Sequence, residues 1–301
     1  MKPSTLSFIR ESRRTPGHSF LDRMHGYIYG RWPYLYIGIG KGRHPMNRIF
    51  GPPLRWLACL LLPGLRHKNT LAESYHGKVM LPEEAVEMIT VNEDVRITDL
   101  EKVIPYSRAR DIILQNPDHL VALECPCRAS HPDPCLPLDV CLVVGEPFAS
   151  FIIEHHPRRS RWITPGEGIA ILQAEHARGH VHHAFFKDAM LNRFYAICNC
   201  CKCCCGAIQA YENGTPMIAS SGYVCRVDAE LCSGCESCVE SCQFGALSMA
   251  DDIAVVDVDK CMGCSVCTSR CHPGALTIIR EPAKGEPLEI HKLIARTSRM
   301  S

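Results

Sequence analysis

Residues 232–242 read Cys-Ser-Gly-Cys-Glu-Ser-Cys-Val-Glu-Ser-Cys, and residues 261–271 read Cys-Met-Gly-Cys-Ser-Val-Cys-Thr-Ser-Arg-Cys. The two stretches are copies of one pattern. Gly234, Gly245, Ala246 and Leu247 recur as Gly263, Gly274, Ala275 and Leu276. Val227-Asp228 ahead of the first copy matches Val256-Asp257 ahead of the second. Over residues 223–280 the repeat predicts two like units, each a short strand, a cysteine loop, a short helix and another short strand. Units this small bury little apolar surface. A group bound between them is expected to supply much of their stability.

Each copy spaces its thiols C-x2-C-x2-C-x3-C. Thiolates at such intervals can wrap one iron–sulfur cubane, with backbone N–H groups aimed at its sulfides. Ser233, Gly234, Gly263 and Ser265 are small enough to let the backbone approach closely. Structural zinc more often uses paired C-x2-C units with longer spacers. On these residues the segment resembles bacterial ferredoxins that carry two 4Fe-4S clusters. In that family the fourth cysteine of each run ligates the other cluster. The resemblance implies that Cys232, Cys235, Cys238 and Cys271 hold one cluster, and Cys261, Cys264, Cys267 and Cys242 the other. The family places Pro directly after each fourth cysteine. Here those positions are Gln243 and His272, with Pro273 displaced by one. The ligand set is intact, and the added polar groups bear on reduction potential.

The chain has 20 cysteines, so these eight leave 12. Cys59 and Cys225 are isolated and read as small packing residues. The other ten fall in two groups: Cys125, Cys127, Cys135 and Cys141, then Cys198, Cys200, Cys201, Cys203, Cys204 and Cys205. In an extended chain Cys201, Cys203 and Cys205 face one way. The two groups follow predicted strands whose neighbouring ends could close one further iron–sulfur cluster, or two. Zinc is the rival, and Cys125, Cys127, Cys135, Cys141, Cys198, Cys200, Cys201 and Cys203 are the candidate ligands either way. Disulfides are disfavoured in a reducing compartment. The C-P-C-R and C-N-C-C loops also look like uncharacterised 4Fe-4S-binding proteins of anaerobic microbes, a weaker resemblance covering residues 20–280.

Outside the cysteines, 46% hydrophobic and 22% charged residues describe a folded chain and exclude collagen, coiled coil and wholesale disorder. The expected fold class is α+β, a C-terminal ferredoxin-like βαβ-repeat module fused to a cysteine-rich α+β domain. Four segments are expected: a basic aromatic segment without long periodic helix at 1–80, the cysteine-rich domain at 81–222, the ferredoxin-type domain at 223–280 and a flexible tail at 281–301. In the second, Pro82 opens a helix, another helix runs from Pro105 to Asn116, and His119–Leu123 is a buried strand. Thr164-Pro-Gly-Glu167 caps a helix that ends at Gly179. Val181–Phe186 alternates as a strand, and Arg193–Ile197 pairs back on it. Among the histidines, His155, His156, His176, His180, His182 and His183, metal ligation competes with ordinary core packing, and His183 reads as core.

Residues 1–69 hold 12 Lys/Arg against 2 Asp/Glu, and nine aromatics. A peripheral membrane or partner surface suits this balance, as do merely solvated charges. Nucleic acid is not expected, because no recognisable motif accompanies the charge. Leu54–Leu65 is too short to span a membrane, and Met1–Arg14 lacks a signal-peptide core, so a cytoplasmic protein is expected. No dinucleotide or phosphate-loop fingerprint is present. The expected function is electron transfer to or from a redox partner protein. A reductase, or a redox sensor, acting at the Cys125–Cys141 and Cys198–Cys205 centre is the alternative.

Overall fold

The computed structural model describes residues 1–43, 68–98 and 100–300. Trp56, Cys59 and the Leu54–Leu65 run lie outside the described residues. The centre is a sheet of seven strands in the order β6-β4-β5-β8-β7-β1-β9. Its members are β1 (Tyr75–Met80), β4 (Leu120–Leu123), β5 (Cys141–Val144), β6 (Ser160–Ile163), β7 (Val181–Lys187), β8 (Arg193–Cys200) and β9 (Ile218–Ala219). All pairings are antiparallel except β1 with β9. Every residue of β7 is buried, so the sheet is covered on both faces at this strand, which carries no solvent-facing alternation.

Thr164 and Glu167 cap each other at the start of helix Pro165–Ala177, as the spacing predicts. A capping pair of this kind contributes about 1 kcal/mol. Pro82 likewise opens helix Pro82–Thr90. The strand at His119–Leu123 and the β7–β8 hairpin also follow the sequence. The helix expected from Pro105 to Asn116 does not form. Ile112–Leu114 is instead β3, paired with β2 (Val95–Ile97). Ile112 and Leu114 are buried, with Val95 and Ile97 opposite, and that two-residue period outweighs helix propensity.

The N-terminal segment is helical where no long helix is expected: Pro3–Arg14, Phe20–Arg31 and Pro33–Gly40. Phe8 packs on Phe151, ring centroids 5.7 Å apart, and Ser19 with Asp22 forms a capping box for the second helix. β1, at the end of the N-terminal segment expected at 1–80, belongs to the central sheet. At the other terminus, where a flexible extension is expected, residues Ile290–Met300 are helical. Leu288, Ile290 and Leu293 are buried, and the Lys78 ammonium donates to the Glu286 carbonyl at 2.7 Å. Apolar anchoring, not composition, decides that end.

Residues 223–280 fold as the repeat predicts. β10 (Tyr223–Val227) pairs with β13 (Leu276–Arg280), and β11 (Leu247–Ala250) pairs with β12 (Ile253–Val256). A short helix, Ser237–Ser241, follows the first cysteine loop, and a single 3-10 turn, Thr268–Arg270, follows the second. The buried core of this unit is Val224, Cys225, Cys238, Ala246, Leu247, Ala254, Cys261, Cys267 and Leu276. Four of these nine are cysteines, so hydrocarbon alone gives it little stability.

Candidate functional site

Two cavities lie within the C-terminal unit. Cys232, Cys235, Cys238 and Cys271 line one, and Cys242, Cys261, Cys264 and Cys267 line the other. The fourth cysteine of each run thus sits with the first three of the other run. Backbone N–H groups donate to the sulfurs: Cys225 to Cys261 Sγ and Ala246 to Cys242 Sγ, both at 3.3 Å, and Ala254 to Cys232 Sγ at 3.5 Å. Such donors favour thiolate over thiol, the form a cluster needs. The backbone repeats as the sequence does, with Glu236 and Ser265 both at positive φ at the same point of each loop. Thiol donors, N–H groups and enclosed space all fit an iron–sulfur cubane. Cys225, read as a packing residue, is buried and lines the second cavity.

The cysteine-rich domain gathers its thiols at one end of the sheet. β4 and β8 are not neighbours, as their cysteine loops suggest; β5 lies between them and brings Cys141 opposite Leu123. Cys135, Cys201, Cys203 and Cys204 form one group, with all four Sγ atoms within 4.8 Å of one another. Cys135 and Cys203 are 3.1 Å apart, Cys201 and Cys203 3.3 Å. The six other thiols, together with Cys201 and Cys204 of that group, border a buried chamber. All six are free thiols, and Cys205 donates to Cys200 at 3.2 Å. Cys201, Cys203 and Cys205 therefore do not share a face. The chain turns after Cys200, closed by Cys205 N–H to the Cys201 carbonyl at 2.9 Å, and Cys205 swings to the chamber side. Hydrogen bonding from Cys205, with His183 beside it, lowers the Cys200 thiol to about 6 against its burial.

Arg128 is the residue that sequence reasoning passed over. It is buried with Glu175, which it pairs with, and it donates to the Pro137 carbonyl at 2.6 Å and the Asn199 carbonyl at 3.1 Å. One guanidinium thus ties the Cys125–Cys127 loop to the Cys198–Cys201 loop. Burial would raise the Glu175 carboxyl, but the hydrogen bond from His180 and the Arg128 charge hold it below its ordinary value. Lys41 does similar work from outside, donating to the Cys204 carbonyl and, at 3.5 Å, to that of Cys127. Tyr29 and Ile37 of the N-terminal helices roof the chamber, and the Tyr29 hydroxyl bonds to that of Tyr195 at 2.8 Å. Charge and aromaticity at residues 1–43 thus have a use inside the fold that composition alone does not reveal.

The histidines hold loops together. His155 Nε2 meets Thr5 Oγ1 at 2.8 Å, His156 Nε2–H donates to the Gly30 carbonyl at 2.7 Å, and His182 Nδ1–H donates to Asn199 Oδ1 at 2.6 Å. His183 is fully buried, as expected for a core residue, with Phe244 across it at 6.4 Å between ring centroids. Phe244 also lines the second C-terminal cavity. Gln243, standing where the ferredoxin family has Pro, accepts from Lys202 N–H at 2.9 Å and donates to the Gly179 carbonyl at 3.0 Å. The departure from the family pattern is thus part of the seam between the two cysteine regions, with Arg270 donating to the Ala177 carbonyl beside it.

Residues 226–248 match a family model described as a 4Fe-4S binding domain. No curated protein matches the chain. With the cysteine groups described above, this defines an iron–sulfur protein with a 4Fe-4S binding motif and at least one such cluster on its C-terminal side. No helix among the described residues is long and apolar enough to cross a membrane.

Proposed function

We propose that the protein carries electrons through two 4Fe-4S clusters in residues 223–280, with an additional metal centre in the cysteine-rich domain. The carrying observation is the crossed grouping of eight cysteines around two cavities. Cys232, Cys235, Cys238 and Cys271 would hold the first cluster, and Cys242, Cys261, Cys264 and Cys267 the second. When bound, the clusters supply one-electron chemistry, and the chain orients them and sets potential through N–H donors and burial. Phe244 and His183 lead from the second cavity to Cys200, which makes the chamber the natural neighbour for electrons. A redox partner protein would exchange electrons at the first cluster, where Cys235 is exposed.

Residues 1–43 also offer a surface for anionic lipid. Leu21, Met24 and Ile28 of one helix, Trp32, and Leu35 and Ile39 of the next are exposed, within a segment strongly biased to Lys and Arg. A reductase working at the chamber thiols is the second reading, favoured by the enclosed cavity they border.

The test is anaerobic purification with iron and sulfide counts, followed by an EPR-monitored redox titration. Two reducible centres are expected from about eight irons, and Cys238→Ser should damage one more than the other. Zinc without sulfide in this module would overturn the assignment. Turnover of a small electron acceptor that Cys200→Ser abolishes, with both C-terminal signals intact, would favour the reductase.

A further inference from the structure

The ten middle-domain thiols do not form one set. A single tetrahedral ion bound by sulfur at about 2.3 Å holds its ligands about 3.8 Å from one another. Cys135, Cys201, Cys203 and Cys204 have that spacing, with sulfur pairs at 3.1, 3.3, 3.6 and 3.7 Å. A cubane places four irons between its thiolates and needs them further apart. Neither C-terminal quartet closes to within 4.8 Å, and the Cys135 group is the one among the described residues that does. The remaining six, Cys125, Cys127, Cys141, Cys198, Cys200 and Cys205, line a chamber whose wall Cys201 and Cys204 also reach, and no three of the six close to within 4.8 Å of one another. Six terminal thiolates exceed the four of a cubane. Adjacent residues divide between the groups, Cys200 from Cys201 and Cys204 from Cys205, because the chain reverses there.

We infer that the cysteine-rich domain holds two separate centres: one zinc ion on Cys135, Cys201, Cys203 and Cys204, and an iron–sulfur cluster on the six chamber thiols. The zinc closes the turn at residues 201–205 against the Cys135 loop and keeps Cys200 and Cys205 facing inward. The chamber cluster lies under Tyr29 and Ile37, away from solvent, and is the centre that His183 and Phe244 approach. This inference rests on reading the middle cysteines as metal ligands, and it deepens that reading.

The experiment uses the full-length holoprotein, purified anaerobically, with zinc, iron and acid-labile sulfide counted together. About 12 or more irons and one zinc are expected. Cys135→Ser with Cys203→Ser should remove the zinc and leave iron and sulfide unchanged. Cys125→Ser with Cys141→Ser should remove about four or more irons with their sulfide and keep the zinc. Zinc-edge X-ray absorption on the wild-type protein does not depend on variants folding, and should give four sulfur neighbours at about 2.3 Å. Loss of iron and sulfide from the Cys135/Cys203 variant, loss of zinc alone from the Cys125/Cys141 variant, or absence of sulfur-bound zinc would overturn the division. About eight irons and no zinc in the wild type would sink the additional centre itself, which separates the two failures.

Discussion

At Gly263 a Cβ would sit 2.2 Å from the Tyr223 carbonyl oxygen, in a backbone with φ +63°. The loop of the second cavity can therefore close only around glycine. Gly245 has a similar φ of +61° but open space around it. Gly245→Ala should cost about 1 kcal/mol, the ordinary left-handed penalty. Gly263→Ala should cost that and also displace the Cys261–Cys264 loop, abolishing one cluster's EPR signal. Equal iron content in the two variants would show that the close approach is not needed. Arg128 works by the same logic of space and charge, since removing it leaves the Glu175 carboxylate buried with a lost partner.

At the scale of elements, the helices Phe20–Arg31 and Pro33–Gly40 each have two faces. Tyr29 and Ile37 face the chamber, while Leu21, Met24, Ile28, Leu35 and Ile39 are exposed. The exposed residues recur at helical spacing, so each helix offers a stripe and not scattered contacts. The double variant Ile28→Glu with Leu35→Glu should reduce flotation with vesicles containing phosphatidylserine at least severalfold, while iron content holds. Undiminished flotation would remove the lipid-surface proposal. Elements also explain the split of the thiols. β8 presents Cys198 and Cys200 on one side, and the turn that follows it, not strand alternation, sends Cys201, Cys203 and Cys204 to the other group.

For the whole molecule, the buried His76 ties β1 to the segments that cover it. Its ring stacks on Tyr106 with centroids 3.8 Å apart, and Nδ1–H donates to the Ala72 carbonyl at 2.9 Å. Burial lowers its pKa from 6.5 to about 4. The unfolded chain therefore takes up the proton first as pH falls. Stability from this residue is complete above pH 6.5 and drains away between 6.5 and 4, by about 3 kcal/mol over the window at ~1.4 kcal/mol per pKa unit. Chemical denaturation of the anaerobic holoprotein at pH 7 and pH 5 should show the loss, and His76→Phe should show less of it. An identical pH dependence in both proteins would assign the acid sensitivity elsewhere.

The sequence by itself determined the C-terminal unit, because its repeat, its glycines and its cysteine spacing act within a few residues of each other. It also determined the helix start at Thr164 and the hairpin from Val181 to Cys200, where capping and alternation are local. The tertiary structure alone decided the rest. Whether Ile112–Leu114 is strand or helix depended on Val95 and Ile97 lying opposite, and whether residues 290–300 are helical depended on a core to receive Leu288 and Ile290. Which thiols meet was likewise invisible, since Cys204 and Cys205 are neighbours in sequence and members of different groups in space. A cysteine pattern is legible where chain distance sets spatial distance; a chamber built from the ends of three strands and roofed by distant helices exists only once the sheet has formed.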